Sequence, residues 1–124
     1  GKKHGAGEYS ATSGVHYNGQ WRHDVPDGKG CYSFANGRVY DGQWQCGHMT
    51  GQGRTSFPDG SVYEGEYVKD MQHGEGSYIW SQDRSYRGQW CSGKMEGVGV
   101  MRDGDSEMSG LWNRGEYMGA VSPR

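Results

Sequence analysis

Gly51-Gln52-Gly53-Arg54-Thr55-Ser56-Phe57-Pro58-Asp59-Gly60-Ser61-Val62-Tyr63-Glu64-Gly65-Glu66-Tyr67 is the unit from which the rest of the chain is built. It reads as a β-hairpin whose leading strand carries G-x-G and whose trailing strand carries Y-x-G-x-[W/Y]. The glycine pair returns as Gly5/Gly7, Gly28/Gly30, Gly74/Gly76 and Gly97/Gly99, a constant step of 23 residues. The aromatic triplet returns as Tyr17/Gly19/Trp21, Tyr40/Gly42/Trp44, Tyr86/Gly88/Trp90 and, degenerate, Met108/Gly110/Trp112. A fixed period in this range is the signature of a repeat array.

Alternation along a strand puts Tyr63, Gly65 and Tyr67 on one face and Glu64 and Glu66 on the other. Pro58-Asp59-Gly60 supplies a three-residue loop, with proline presetting φ and glycine taking the left-handed position. That loop predicts Thr55 opposite Tyr63, Gly53 opposite Gly65 and Gly51 opposite Tyr67, so that a large ring faces a glycine in every repeat. The loops Thr12-Ser13-Gly14 and Ala35-Asn36-Gly37 are expected to match it, as is Ser81-Gln82-Asp83 with Asp83 left-handed. The fifth repeat is one residue shorter, and the deletion falls in the turn. Gly104-Asp105 then forms a two-residue loop that keeps the faces in phase.

The composition excludes several classes. Of 124 residues 31% are hydrophobic, 13% are aromatic and 24 are glycine, which is too polar and glycine-rich for a two-layer globule. Phased aromatics argue against disorder. The formal charge is −2, with 13 Lys/Arg interleaved among 15 Asp/Glu. Lys2-Lys3 is the longest basic run, so a nucleic-acid partner is not expected. The three cysteines read as reduced thiols, because Cys46 and Cys91 lie two repeats apart, about 19 Å at the spacing of strands, and Cys31 sits on the polar face. These features point to a cytoplasmic protein. Gly1-Lys2-Lys3-His4-Gly5 matches the loop between hairpins, so the chain reads as a fragment that begins in mid-repeat.

Chemistry-bearing motifs are few. Gly88-Gln89-Trp90-Cys91-Ser92-Gly93-Lys94 spells most of a phosphate loop, but Met95 follows where the magnesium-binding Ser or Thr belongs. Cys46 and His48 are spaced for a metal corner, yet no second pair stands at ligand spacing, and no metal or cofactor is expected. Asp41, Glu64 and Glu66 read as residues that keep one face soluble. No nucleophile has a base placed beside it, so the chain is not expected to be an enzyme.

The aromatic ladder is the candidate binding site. Tyr17, Trp21, Tyr40, Trp44, Tyr63, Tyr67, Tyr86, Trp90 and Trp112 are expected to pack on glycine and also to line an open groove. Such a groove suits a partner helix or peptide, or a second copy of the chain. On the other face the register pairs Ala6/Gln20, Lys29/Gln43, Gln52/Glu66, Glu75/Gln89 and then Val98/Leu111. Val100 and Ile79 share that side. The apolar back face of Ile79, Val98, Val100 and Leu111 is expected to be covered by the segment 117–121 folding back, by a C-terminal helix, or by a second copy.

These residues resemble the MORN repeat (membrane occupation and recognition nexus), whose pattern is approximately Y-x-G-x-W-x-x-G-x-x-x-G-x-G. Tyr40, Gly42, Trp44, Gly47, Gly51 and Gly53 match it throughout, as do Tyr86, Gly88, Trp90, Gly93, Gly97 and Gly99. Departures are Asp24 and Asp70 at the loop glycine, Tyr67 for tryptophan and Met108 for tyrosine. The resemblance implies an all-β, elongated, single-layer twisted antiparallel meander across 1–124, with hairpins at about 5–21, 28–44, 51–67, 74–90 and 97–112 and a partial sixth repeat at 115–124. It implies a scaffold for protein interaction in cytoskeletal, ciliary or membrane-associated assemblies. Two alternatives accompany it. One is binding of acidic phospholipid (phosphoinositide), for which the chain offers only Lys2, Lys3, Arg84, Arg87 and a few others. The other is a regulatory array attached to an enzyme domain.

Overall fold

The computed structural model describes residues 5–120. The Lys2-Lys3 pair, the rest of 1–4 and the end of the sixth repeat at 121–124 lie outside the described residues. The strands are β1 (Gly5–Ser10), β2 (His16–Arg22), β3 (Val25–Ser33), β4 (Val39–Gln45), β5 (His48–Ser56), β6 (Val62–Val68), β7 (Met71–Ser81), β8 (Arg84–Cys91), β9 (Lys94–Asp103), β10 (Ser106–Asn113) and β11 (Glu116–Gly119). They form one open antiparallel sheet in chain order.

The register follows from the glycines and turns. Gly51 pairs with Tyr67, Gly53 with Gly65 and Thr55 with Tyr63. The same pairs recur at Gly28/Trp44 and Gly30/Gly42 and at Gly74/Trp90 and Gly76/Gly88. Gly99 faces Gly110 and Gly97 faces Trp112 across the two-residue loop, whose Gly104 has φ 63°. The fourth loop departs from expectation. Ser81 pairs with Arg84, leaving Gln82 and Asp83 as a two-residue turn, and Asp83 is not left-handed. The extra residue is Trp80, taken up as a bulge between the Ile79–Ser85 and Ser81–Arg84 pairs. With no glycine to hold a left-handed third position, the strand absorbs the residue instead.

Successive hairpins join through two-residue turns with both φ positive: His23/Asp24 (51°, 67°), Cys46/Gly47 (50°, 83°), Lys69/Asp70 (44°, 73°), Ser92/Gly93 (49°, 84°) and Arg114/Gly115 (51°, 86°). This is the type I′ geometry that matches strand twist. Asp24 and Asp70 therefore hold the same conformation as the glycines they replace, which aspartate tolerates. The turns are also tied to one another. Gly47 N donates to Pro26 O, Asp70 N to Met49 O, Gly93 N to Gln72 O and Gly115 N to Met95 O, each at 2.9–3.0 Å.

Between hairpins the pairing is bulged. Gly19 faces Gly30 and Trp21 faces Pro26, so Gln20 alone opposes Asp27, Gly28 and Lys29. The glycine within the bulge is left-handed, with φ 102° at Gly28 and 98° at Gly51. The backbone N–H that the bulge strands is recovered by a side chain. Gln20 Oε1 accepts from Lys29 N (2.8 Å), Gln43 Oε1 from Gln52 N (2.7 Å), Glu66 Oε1 from Glu75 N (2.9 Å) and Gln89 Oε1 from Val98 N (2.7 Å). Glu66 is thus a structural ligand of the backbone, beyond the solubilising role its alternation suggested.

Candidate functional site

Eight of the nine rings offered as a groove form the core, and Trp21 packs against it. Tyr17, Tyr40, Tyr63 and Tyr86 are at most 1% exposed, and Trp44, Tyr67, Trp90 and Trp112 at most 7%. Each tyrosine lies along its own strand, its hydroxyl donating to the backbone three residues on: Tyr17 to Gln20 O, Tyr40 to Gln43 O, Tyr63 to Glu66 O and Tyr86 to Gln89 O, at 2.7–3.0 Å. Lying flat, the ring covers the second glycine of the next repeat, where a Cβ on Gly30, Gly53, Gly76 or Gly99 would collide with it. It is also clamped edge-on between two rings. Tyr40 stands 5.2 Å from Trp44 and 5.0 Å from Tyr67, and Tyr63 stands 5.2 Å from Tyr67 and 5.3 Å from Trp90, all near perpendicular.

The array is therefore a line of T-shaped contacts from Trp21 to Trp112, and lateral neighbours supply the burial that a second layer would otherwise give. Full burial of one such ring is worth about 2–3 kcal/mol, with each edge contact adding about 1 kcal/mol. The indole N–H groups of Trp44, Trp90 and Trp112 donate to Gly30 O, Gly76 O and Gly99 O at 3.0–3.1 Å. Trp21 begins the line and stays half-buried.

Burial governs the titration of these tyrosines. It raises Tyr86 to about 12, with Glu75 adding to the effect and the hydrogen bond to Gln89 opposing it. Tyr17, Tyr40, Tyr63 and Tyr67 are raised for the same primary reason. Burial and Asp41 push the Cys31 thiol up, away from thiolate reactivity. Cys31, Cys46 and Cys91 are free thiols. His48 pairs with Asp70 at 2.8 Å, and the described residues contain no cluster of three His, Cys, Asp or Glu that could hold a metal.

Further rings on this face stay accessible, Tyr32 and Tyr78 directly opposite Tyr40 and Tyr86, and Phe34, Phe57 and Trp80 nearer the hairpin tips. Tyr32, Phe34, Phe57, Tyr78 and Trp80 are half-buried on the same face. Tyr32 and Phe34 are 4.6 Å apart, Tyr78 and Trp80 are 4.7 Å apart, and Phe57 stacks on Tyr78 at 5.5 Å. The guanidinium of Arg38 lies 4.5 Å above Phe34 and 5.5 Å from Phe57, and that of Arg84 lies 4.8 Å from Trp80. Open depressions of about 330 Å³ and about 320 Å³ flank Tyr78, the first bordered by Arg38 and Phe57 and the second by Trp80, Lys94 and Arg114. None of these five rings was among the expected binding residues. The signal that would have found them is the same face alternation, continued to the hairpin tips.

The back face is open. Ile79 is 46% exposed, Val98 52% and Leu111 46%, with Val100 half-buried. The described part of the segment 117–121 does not fold over it. Glu116–Gly119 adds to the sheet edge as β11, pairing Trp112 with Tyr117 and Leu111 with Gly119.

No curated protein matches the chain. A family model described as MORN repeat matches residues 1–15, 17–37, 40–62, 63–82 and 86–108. Four of those segments open on or beside the buried tyrosines, at 17, 40, 63 and 86. Proteins of this kind are generally protein- or membrane-interaction modules, and the repeat is typically non-catalytic. With matches in five consecutive segments over most of its length, the chain belongs to the MORN-repeat family.

Proposed function

We propose that this array is a non-catalytic scaffold whose aromatic face binds a segment of another protein. The observation that carries the reading is the half-buried row Tyr32, Phe34, Phe57, Tyr78 and Trp80, which exposes rings above a sealed core. Aromatic rings and arginine held by a rigid sheet are the usual anchors of an interface, because they lose little conformational freedom on binding. The troughs beside Tyr78 are bordered by Arg38, Lys94 and Arg114, so the fitting partner is an acidic polypeptide with apolar anchors.

Anionic lipid is the weaker reading. Among the cations of the opposite face, Arg54 is paired with Glu64 at 3.9 Å and Arg102 with Glu107 at 3.7 Å, whereas lipid surfaces require clustered free cations. Selection of a phage-displayed random peptide library on the folded array tests the proposal. Wild type enriches acidic sequences with spaced apolar residues, and the double variant Phe57→Ala/Trp80→Ala loses them while keeping its circular dichroism. Absence of enrichment, or enrichment that survives the double variant, overturns it.

A further inference from the structure

The repeats are nearly interchangeable, and the aromatic face breaks its own rule in one place. In the third repeat Thr55 stands where neighbouring repeats have Tyr32 and Tyr78, Tyr67 where they have Trp44 and Trp90, and Gln72 where they have Met49 and Met95. The first two changes compensate each other. Tyr67 cannot offer an indole N–H to Gly53 O as its counterparts do to Gly30 and Gly76, and its hydroxyl instead bonds Thr55 Oγ1, both groups buried. What remains is space on the face above Thr55, and Arg38 fills part of it from the preceding hairpin. Its guanidinium is flanked by Phe34 and Phe57 and is close enough to Tyr67 to act on its hydroxyl electrostatically.

That guanidinium is incompletely used. Arg38 Nε is enclosed without a hydrogen-bond partner, and no carboxylate of the described residues forms an ion pair with it. An enclosed donor without a partner is a costly arrangement, and with Nε closed off, an acceptor in the notch that Arg38 lines meets the terminal nitrogens of the same guanidinium. The notch beside it, about 330 Å³, is walled by Phe57, Tyr67 and Tyr78 and has Gln72 and Asp70 on its far side.

Resting on the reading of this face as a protein-binding surface, we propose that the notch is the anchor site for one carboxylate of the partner polypeptide, an Asp or Glu side chain or a C-terminus, gripped by Arg38. A planar guanidinium held between rings matches a carboxylate in two parallel hydrogen bonds. Phosphate fits less well. One cation faces it, and Asp70 across the notch, already engaged with His48 and Met49 N, repels a second negative charge.

The test reads the Arg38 Nε–Hε signal in 15N NMR during titration with N-acetylphenylalanine, which carries a ring and a carboxylate. N-acetylphenylalaninamide, inorganic phosphate and vesicles with anionic headgroups are titrated in parallel. Expected is a saturable shift with the carboxylate at Arg38 and at Tyr78, about tenfold weaker binding of the amide, and loss of the Tyr78 response in Arg38→Gln. Equal binding of acid and amide, a stronger response to phosphate or vesicles, or a response preserved in Arg38→Gln overturns the assignment. Because the probe is a single amino acid, this result stands apart from peptide selection. A wild type that selects peptides but shows no carboxylate response keeps the surface and loses the notch.

Discussion

The ring of Tyr40 occupies the volume that a side chain on Gly53 would need, since a Cβ built there collides with Cε1, Cζ and the hydroxyl of that tyrosine. The φ of Gly53 is ordinary for a strand, so the constraint on this glycine is space alone. Gly53→Ala is expected to lower stability by about 1–3 kcal/mol through overpacking, despite the better strand propensity of alanine. Denaturant midpoints measure it. A midpoint within error of wild type would mean that the ring can step aside without cost.

Gln43 predicts a second loss, of a different kind. Its side-chain oxygen is the acceptor for Gln52 N inside a bulge, and Leu111 shows the array with that side chain replaced. Gln43→Leu leaves the amide without its partner and should cost about 1–2 kcal/mol. Hydrogen exchange at Gln52 reports it directly, and the conservative Gln43→Glu, which the array already uses at Glu66, should retain protection.

Alkaline pH should unfold the array through its buried tyrosines. Their folded values lie above the unfolded value of about 10, so the native state holds these protons more tightly. The associated stability is complete below pH 10 and falls as pH climbs toward and past the value of about 12 at Tyr86. Tyrosinate absorbance and circular dichroism recorded together should change in one step for these residues. Ionisation that precedes loss of the sheet signal would contradict the burial seen here.

The open back face gives a test of self-association. If a second copy covers Val98 and Leu111, light scattering across a concentration series shows a rising mass that Leu111→Glu abolishes. We expect that result; a wild type that stays at monomer mass removes the homodimer.

How far the sequence could be read depended on what period 2 and period 23 encode. They gave the strand pairings down to Val98 opposite Leu111, because a one-residue slip would have reversed every face. Alternation says which side a ring is on and nothing about its tilt. The burial of Tyr40 and Tyr63 follows from rings lying along the strand to reach Gln43 O and Glu66 O, a rotamer choice invisible in the pattern. The rings left accessible are therefore others, among them Phe57, Tyr78 and Trp80. The Gln82/Asp83 turn was misread for a related reason. A surplus residue can be stored in the loop or in the strand, and only the environment of Trp80, against Tyr78 and under Arg84, decides which.

The strict chain order of the sheet also bears on how the molecule forms. Every strand pairs only with its immediate neighbours in the chain, and each closure spans a turn of two or three residues, so no step carries the long-loop entropy that slows sandwiches and barrels. An all-β chain arranged this way makes its strand pairings between sequence neighbours, and it can zip from any hairpin outward in either direction.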